Sequence, residues 1–175
     1  MKHPKLLSLL LLLPAFAASA QNTPPPPNNE KEYEVQYQER ITKDRLYNVY
    51  IPKNLEDALL QLEKLMTPES KVIMKDIPED QVCRQLHGRL GQWIINNWGF
   101  YGGSRLSHYL RSAGITYPDD MADFLILAYH KRLNDKPVQV KEMAIEFKEM
   151  RKKAWEEEQK QREVIYEETR KKNEK

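Results

Sequence analysis

Apolar residues fall every three or four positions along four stretches between residues 54 and 134, the spacing that gives a helix one dry face and one wet face. In the first stretch Leu55, Ala58, Leu59, Leu62, Leu65 and Met66 form a stripe. Asn54 is a good N-cap for it, Asp57 takes the third helical position, and Thr67-Pro68 ends it. The second opens at Pro78, with Glu79 and Asp80 favourable at a helix's positive end. It carries Val82, Leu86, Leu90, Trp93, Ile94 and Asn97 on one side and closes at Gly99. After Gly102-Gly103, Ser104 can cap a short third helix bearing Leu106, Tyr109 and Leu110, stopped by Gly114. Pro118-Asp119-Asp120 opens a fourth, with Met121, Phe124, Leu125, Ala128 and Tyr129 inward and an end near Asn134.

Outside these stretches the pattern changes. Tyr33, Val35 and Tyr37 alternate with polar residues, and Leu46, Tyr47, Val49, Tyr50 and Ile51 are strand formers halted by Pro52, so 46–51 reads as a short extended segment. Residues 137–140 also read as extended and are expected to pair with 46–51, clipping the ends of the helical domain together. From Lys141 the chain becomes one long charged helix. Met143, Phe147, Met150 and Ala154 can dock its first half, but past Trp155 the stripe is lost. Acid-first pairs such as Glu149/Lys153 and Glu158/Arg162 suit a solvated second half. The fold class expected is mainly α: a small domain of about four core helices, a short two-stranded β pairing and a long charged C-terminal helix.

The N-terminus has a different logic. Lys2 and Lys5 precede an apolar run from Leu6 to Leu13 that stops at Pro14, and Ala18-Ser19-Ala20 follows. That order is the order of a secretory signal with cleavage before Gln21. The run is shorter than the about 20 apolar residues a spanning helix needs, so no membrane insertion is expected after cleavage. Residues 21–31 are rich in proline and asparagine and read as a disordered linker with polyproline character. The domains expected are thus 1–20 signal, 21–31 linker, 32–140 helical domain and 141–175 charged helix, in a periplasmic or extracellular protein.

Charge adds an exclusion. Without residues 1–20 the chain carries 26 basic and 26 acidic side chains, finely mixed, which gives no electrostatic reason to expect nucleic acid as a partner. Cys83 is the only cysteine, so no internal disulfide can form and packing alone must hold the fold.

The block LGQWIINNWGFYGGSRL (Leu90–Leu106), with GITYPDD-M (Gly114–Met121) and YHKRLND (Tyr129–Asp135), resembles an uncharacterised bacterial domain family. That family carries Leu-Gly-x-Trp-Ile-Arg-Asn-x-Trp-Gly-Leu-Trp, Ser-Arg-Leu and Pro-Asp-Asp-Met-Ser. The likeness covers roughly residues 52–140 and implies a helical domain, with no activity attached. Here Ile95 stands in place of the usual arginine, Tyr101 in place of the second tryptophan, and Ala122 in place of the serine.

Candidate chemistry is sparse. Trp93, Trp98, Phe100 and Tyr101 surround a glycine-rich turn with Arg105 beyond it. They read either as core or as an aromatic-walled pocket in which Arg105 and a helix N-terminus hold an anion. Asp119 and Asp120 are adjacent carboxylates, but neighbours on a helix point roughly 100° apart, which favours a role in the first turn. Cys83 and His87 are four apart, within reach of a thiolate–imidazole pair. His87, His108 and His130 match no local zinc motif. The site expected is therefore a ligand-binding one at Trp98, Tyr101, Arg105, Asp119 and Asp120, without catalytic residues, metal or cofactor. The function expected is a non-enzymatic binding or interaction module for a protein or envelope ligand. The alternatives are a hydrolase using His87 or His108 with Asp119 or Asp120, with or without zinc, and an assembly protein self-associating through residues 141–175.

Overall fold

The computed structural model describes residues 27–173, with side chains through residue 165. The expected signal and most of the proline run lie outside the described residues. The chain runs α1 (Glu30–Arg40), β1 (Arg45–Leu46), β2 (Val49–Tyr50), α2 (Leu55–Leu65), α3 (Pro68–Asp76), α4 (Val82–Leu86), a π-helical turn (His87–Gly91), α5 (Gln92–Asn97), α6 (Arg105–Ser112), α7 (Pro118–Leu133) and α8 (Val140–Asn173). The fold is mainly α.

Helix α7 is the centre. Its buried residues Met121, Ala122, Phe124, Leu125, Ile126, Ala128, Tyr129 and His130 cover more than one face, as a helix surrounded by others requires. It packs against α2 to α6 and against α8. Helix α2 begins as expected: the Asn54 side chain accepts the Asp57 N–H, and Leu55, Ala58, Leu59 and Leu62 are buried. Ser104 caps α6 in a reciprocal pair with Ser107. Gly114, at φ +93°, ends that helix where a side chain would strain the backbone.

Four expectations are corrected. Residues 46–51 do not pair with 137–140. They fold back on themselves, Arg45 opposite Tyr50 and Leu46 opposite Val49, because Tyr47 and Asn48 both take left-handed conformations and close a two-residue loop. Val138 and Val140 instead pack their side chains on the core.

Thr67-Pro68 ends α2 but also starts α3: the Thr67 side chain accepts the Ser70 N–H, and Pro68 occupies the first helical turn. The second expected helix starts at Val82 rather than Pro78. Pro78 to Gln81 form a turn closed by the Gln81 N–H on the Pro78 carbonyl, and Glu79 pairs with Lys131 and Lys136 instead of serving a helix end. Helix α1 begins inside the expected linker and runs through the alternating Tyr33, Val35 and Tyr37. Asn29 accepts the Glu32 N–H, and the Glu32 carboxylate reaches back to the Asn28 N–H.

The π-helical turn has a cause in the sequence. Val82, Leu86, Leu90 and Ile94 are all buried and all four apart. A regular helix would rotate such a row by roughly 40° at each step, or about 120° in all, and carry its last member out of the core. The wider turn at His87–Gly91 absorbs that drift, so Ile94, Ile95 and Trp98 still face inward.

The first half of α8 docks through buried Met143, Ala144 and Phe147, the last edge-on to Phe124 at 5.8 Å, and through Arg151, whose guanidinium forks onto Asp120. Beyond it Trp155, Val164 and Ile165 are exposed. Among the described residues no helix is long and apolar enough to cross a membrane.

Candidate functional site

The hairpin β1–β2 leans against α2 and α5 and encloses a cavity of about 190 Å³ with them. Its walls are Val49, Tyr50, Leu65, Trp93 and Trp98. Its polar edge is made by Arg45, Asn48, Gln61 and Asn97. The two indoles meet edge to face at 5.8 Å and 73°, so Trp98, which is 1% exposed, anchors Trp93 at the mouth.

Each wall is held from behind. The Tyr50 hydroxyl donates to Asp57 Oδ2 at 2.7 Å, and Lys53 N–H donates to the same oxygen at 2.9 Å. The Arg105 guanidinium carbon lies 5.1 Å from the Tyr50 ring centre while its Nε donates to the Ile51 carbonyl at 2.7 Å. At the hairpin tip Tyr47 and Asn48 have φ of 50° and 65°, costly for a tyrosine. Arg40 of α1 steadies that tip, donating to the Tyr47 hydroxyl at 2.8 Å. On the far side Asn97 Nδ2 donates to the Trp93 carbonyl at 2.8 Å.

These contacts set the ionisation. Burial pushes the Asp57 carboxyl upward, but the Lys53 amide, the Tyr50 hydroxyl, Gln61 and the Arg105 cation together outweigh it, and its pKa lies below the usual value. The Tyr50 hydroxyl is raised, chiefly because its proton is shared with that carboxylate. Asp57 is thus an anion that latches the hairpin to α2.

Of the residues singled out from sequence, Trp98 lines the cavity and Arg105 braces its Tyr50 wall without entering it. Tyr101 is 62% exposed on the turn outside it. Asp119 and Asp120 lie at the start of α7 and diverge: Asp119 sits 3.4 Å from His87 Nε2, whereas Asp120 is taken by Arg151. The cavity's other members, Arg45, Asn48, Val49, Tyr50, Gln61 and Leu65, come from segments far from the Trp93–Trp98 block in sequence. Only the Tyr47-Asn48 pair carried a signal, since asparagine tolerates the left-handed region a two-residue loop demands.

The histidines separate. His87 Nδ1 lies 2.8 Å from Asp123 Oδ1, His108 Nδ1 bonds the Tyr37 hydroxyl, and His130 Nε2 donates to the buried Ile77 carbonyl at 2.8 Å. Among the described residues no three His, Cys, Asp or Glu side chains are grouped so as to hold a metal ion. The Cys83 thiol donates to the Asp123 carbonyl, and burial pushes it up to about 12, so it stays protonated. Asp123 is itself raised, by burial first, against the pull of His87. A wider hollow of about 530 Å³ lies between α2 and the α7–α8 connection, where Arg132 pairs with Glu56 and Lys136 with Glu79.

Residues 51–133 match the family described as Domain of unknown function (DUF6794). No curated protein and no solved structure shows significant similarity to the chain. The DUF6794 match runs from the end of the hairpin through α7, so it holds Gln61, Leu65, Trp93, Asn97 and Trp98. Helix α1, the hairpin residues Arg45–Tyr50 and α8 fall outside it.

Proposed function

We propose that the protein is a non-enzymatic binding module, exported through cleavage before Gln21, whose Trp93–Trp98 cleft takes one ring-sized apolar group of a protein or envelope ligand. The observation that carries this reading is the cavity itself: aromatic walls, a short polar edge and a wall braced by Asp57 and Arg105. Its volume of about 190 Å³ is close to that of a cavity that admits benzene and well under that of a drug-sized pocket, so a single ring is the expected occupant. A ring entering against Trp93 extends the edge-to-face row that Trp98 begins. The amide oxygens and the Arg45 cation at the edge then meet a polar substituent.

Replacing exposed Trp155 by phenylalanine leaves Trp93 and Trp98 as the tryptophan reporters. Titrating Trp155→Phe with p-cresol, with excitation at the red edge of tryptophan absorption where the probe does not absorb, should give a saturable change in emission, with a Kd of roughly millimolar order for so small a probe. Val49→Phe, which fills the cleft, should abolish that change while thermal unfolding stays cooperative. Emission that drifts linearly with probe, or a response unaltered by Val49→Phe, would refute the assignment.

A further inference from the structure

Among the described residues lining the Trp93–Trp98 cleft, Arg45 alone carries a charge near neutral pH, and none is a carboxylate. Arg45 stands directly opposite Tyr50 in the hairpin, so the two side chains leave the same face and the cation stands beside the Tyr50 wall. One Arg45 nitrogen, Nη1, donates to the Asn48 carbonyl at 2.9 Å, which tethers the guanidinium across the hairpin tip. Among the described residues no carboxylate pairs with it and no further acceptor takes its remaining N–H groups. Arg132 and Arg151, by contrast, are each taken by a carboxylate, Glu56 and Asp120. The Asp57 anion stands behind the Tyr50 wall, committed to the Tyr50 hydroxyl and the Lys53 amide, and the Arg105 guanidinium against the same ring offsets it. The exposed edge of the cleft is therefore positive.

Size places the counter-charge. About 190 Å³ holds a ring and little more. A carboxylate drawn inside with the ring would be buried without a partner, which is costly. On a short tether it stays at the edge, where a guanidinium meets it in a planar, paired geometry. We propose that the occupant of the cleft is an aromatic carboxylate, its ring against Trp93 and its acid group held at the edge by Arg45. This rests on the reading of the cleft as a ring site and adds the charge of the ligand to it. Trp93 and Trp98 lie within the matched segment 51–133 and Arg45 before it, so the ring subsite and the charge filter come from different parts of the chain. A free aromatic acid and the carboxyl-terminal aromatic residue of a peptide share this chemistry.

The test titrates the full-length Trp155→Phe chain, by tryptophan emission, with 3-phenylpropionate, 3-phenylpropanamide and 3-phenylpropylamine, which share a ring and differ in charge. Near pH 7 and at low salt the acid should bind about fivefold tighter than the amide, and the amide tighter than the amine. Salt at about 0.5 M should compress the acid-to-amide ratio to about twofold. Taking that ratio within each chain divides out any change in the cleft itself. Arg45→Gln should bring it to about one, Arg45→Glu should invert it, and Arg45→Lys, which keeps the charge without the fork, should keep the order over a smaller span. N-acetylphenylalanine binding at least as tightly as 3-phenylpropionate assigns the acid to a peptide terminus, and weaker binding assigns it to a free acid. Equal affinity for acid and amide, or a preference for the acid that survives Arg45→Gln, would overturn the proposal while saturable p-cresol binding leaves the ring site standing. Absence of p-cresol binding as well would remove both.

Discussion

The hairpin latch can be broken at either end, and the two breaks should not add. Tyr50→Phe removes one hydroxyl proton from Asp57 and leaves the ring under Arg105 in place. A hydrogen bond with one charged partner contributes about 1.5–3 kcal/mol, and because both groups here touch water about 1–2 kcal/mol is the expected loss. Asp57→Ala strips the acceptor from Tyr50 and from the Lys53 amide together, for about 2–3 kcal/mol. In the double variant the Tyr50 bond is lost only once, so the cycle should close with a coupling of about 1 kcal/mol. Thermal unfolding reads this directly, at roughly 2–4 °C per kcal/mol for a chain of this size.

The pH dependence follows from the directions of the shifts. Asp57 is lowered in the folded state, so its contribution is complete above its ordinary value of 3.8 and fades as pH falls through the lower folded value. Tyr50 is raised, so its contribution is complete below 10.0 and fades as pH rises through the higher folded value. Asp57→Ala should flatten both flanks. A Tyr50→Phe penalty as large in the Asp57→Ala background as in the unaltered chain would show that the 2.7 Å contact stabilises nothing, and the braced wall of the cleft would lose its basis.

Other consequences are more local. Glu79 is held down to about 2 by Lys131 and Lys136, so the stability it gives should be full above pH 4.5 and lost toward pH 2, and Glu79→Gln should remove that acid-side slope from melting curves. Phe147→Ala opens a hole beside Phe124 and should cost about 3 kcal/mol, with faster hydrogen exchange over 140–151; an unchanged melt would mean α8 is not docked there. With its thiol near 12, Cys83 should react with a disulfide reagent at pH 8 roughly a thousandfold more slowly in the folded chain than in urea, and equal rates would place it in open solvent.

Helices that announce themselves by their own residues were legible in the chain: Asn54 and Ser104 are caps whose partners lie three residues on, and Gly114 stops α6 through its own backbone. Such signals are local, and so is the helical spacing that buries Leu55 to Leu62. Thr67-Pro68 misled because a proline after a capping residue ends one helix and begins the next with the same two residues. The strand formers at 46–51 gave the extended conformation but not its partner, since pairing was decided by two left-handed residues at the tip and by Asp57 and Arg105 behind it. Tertiary packing alone decided which of the aromatic residues became a wall and which went to water: Trp93 and Trp98 met a hairpin some fifty residues earlier in the chain, while Tyr101, three positions beyond Trp98, met none. A side chain's neighbours across the chain depend on how whole elements pack, and no short window of sequence contains that information.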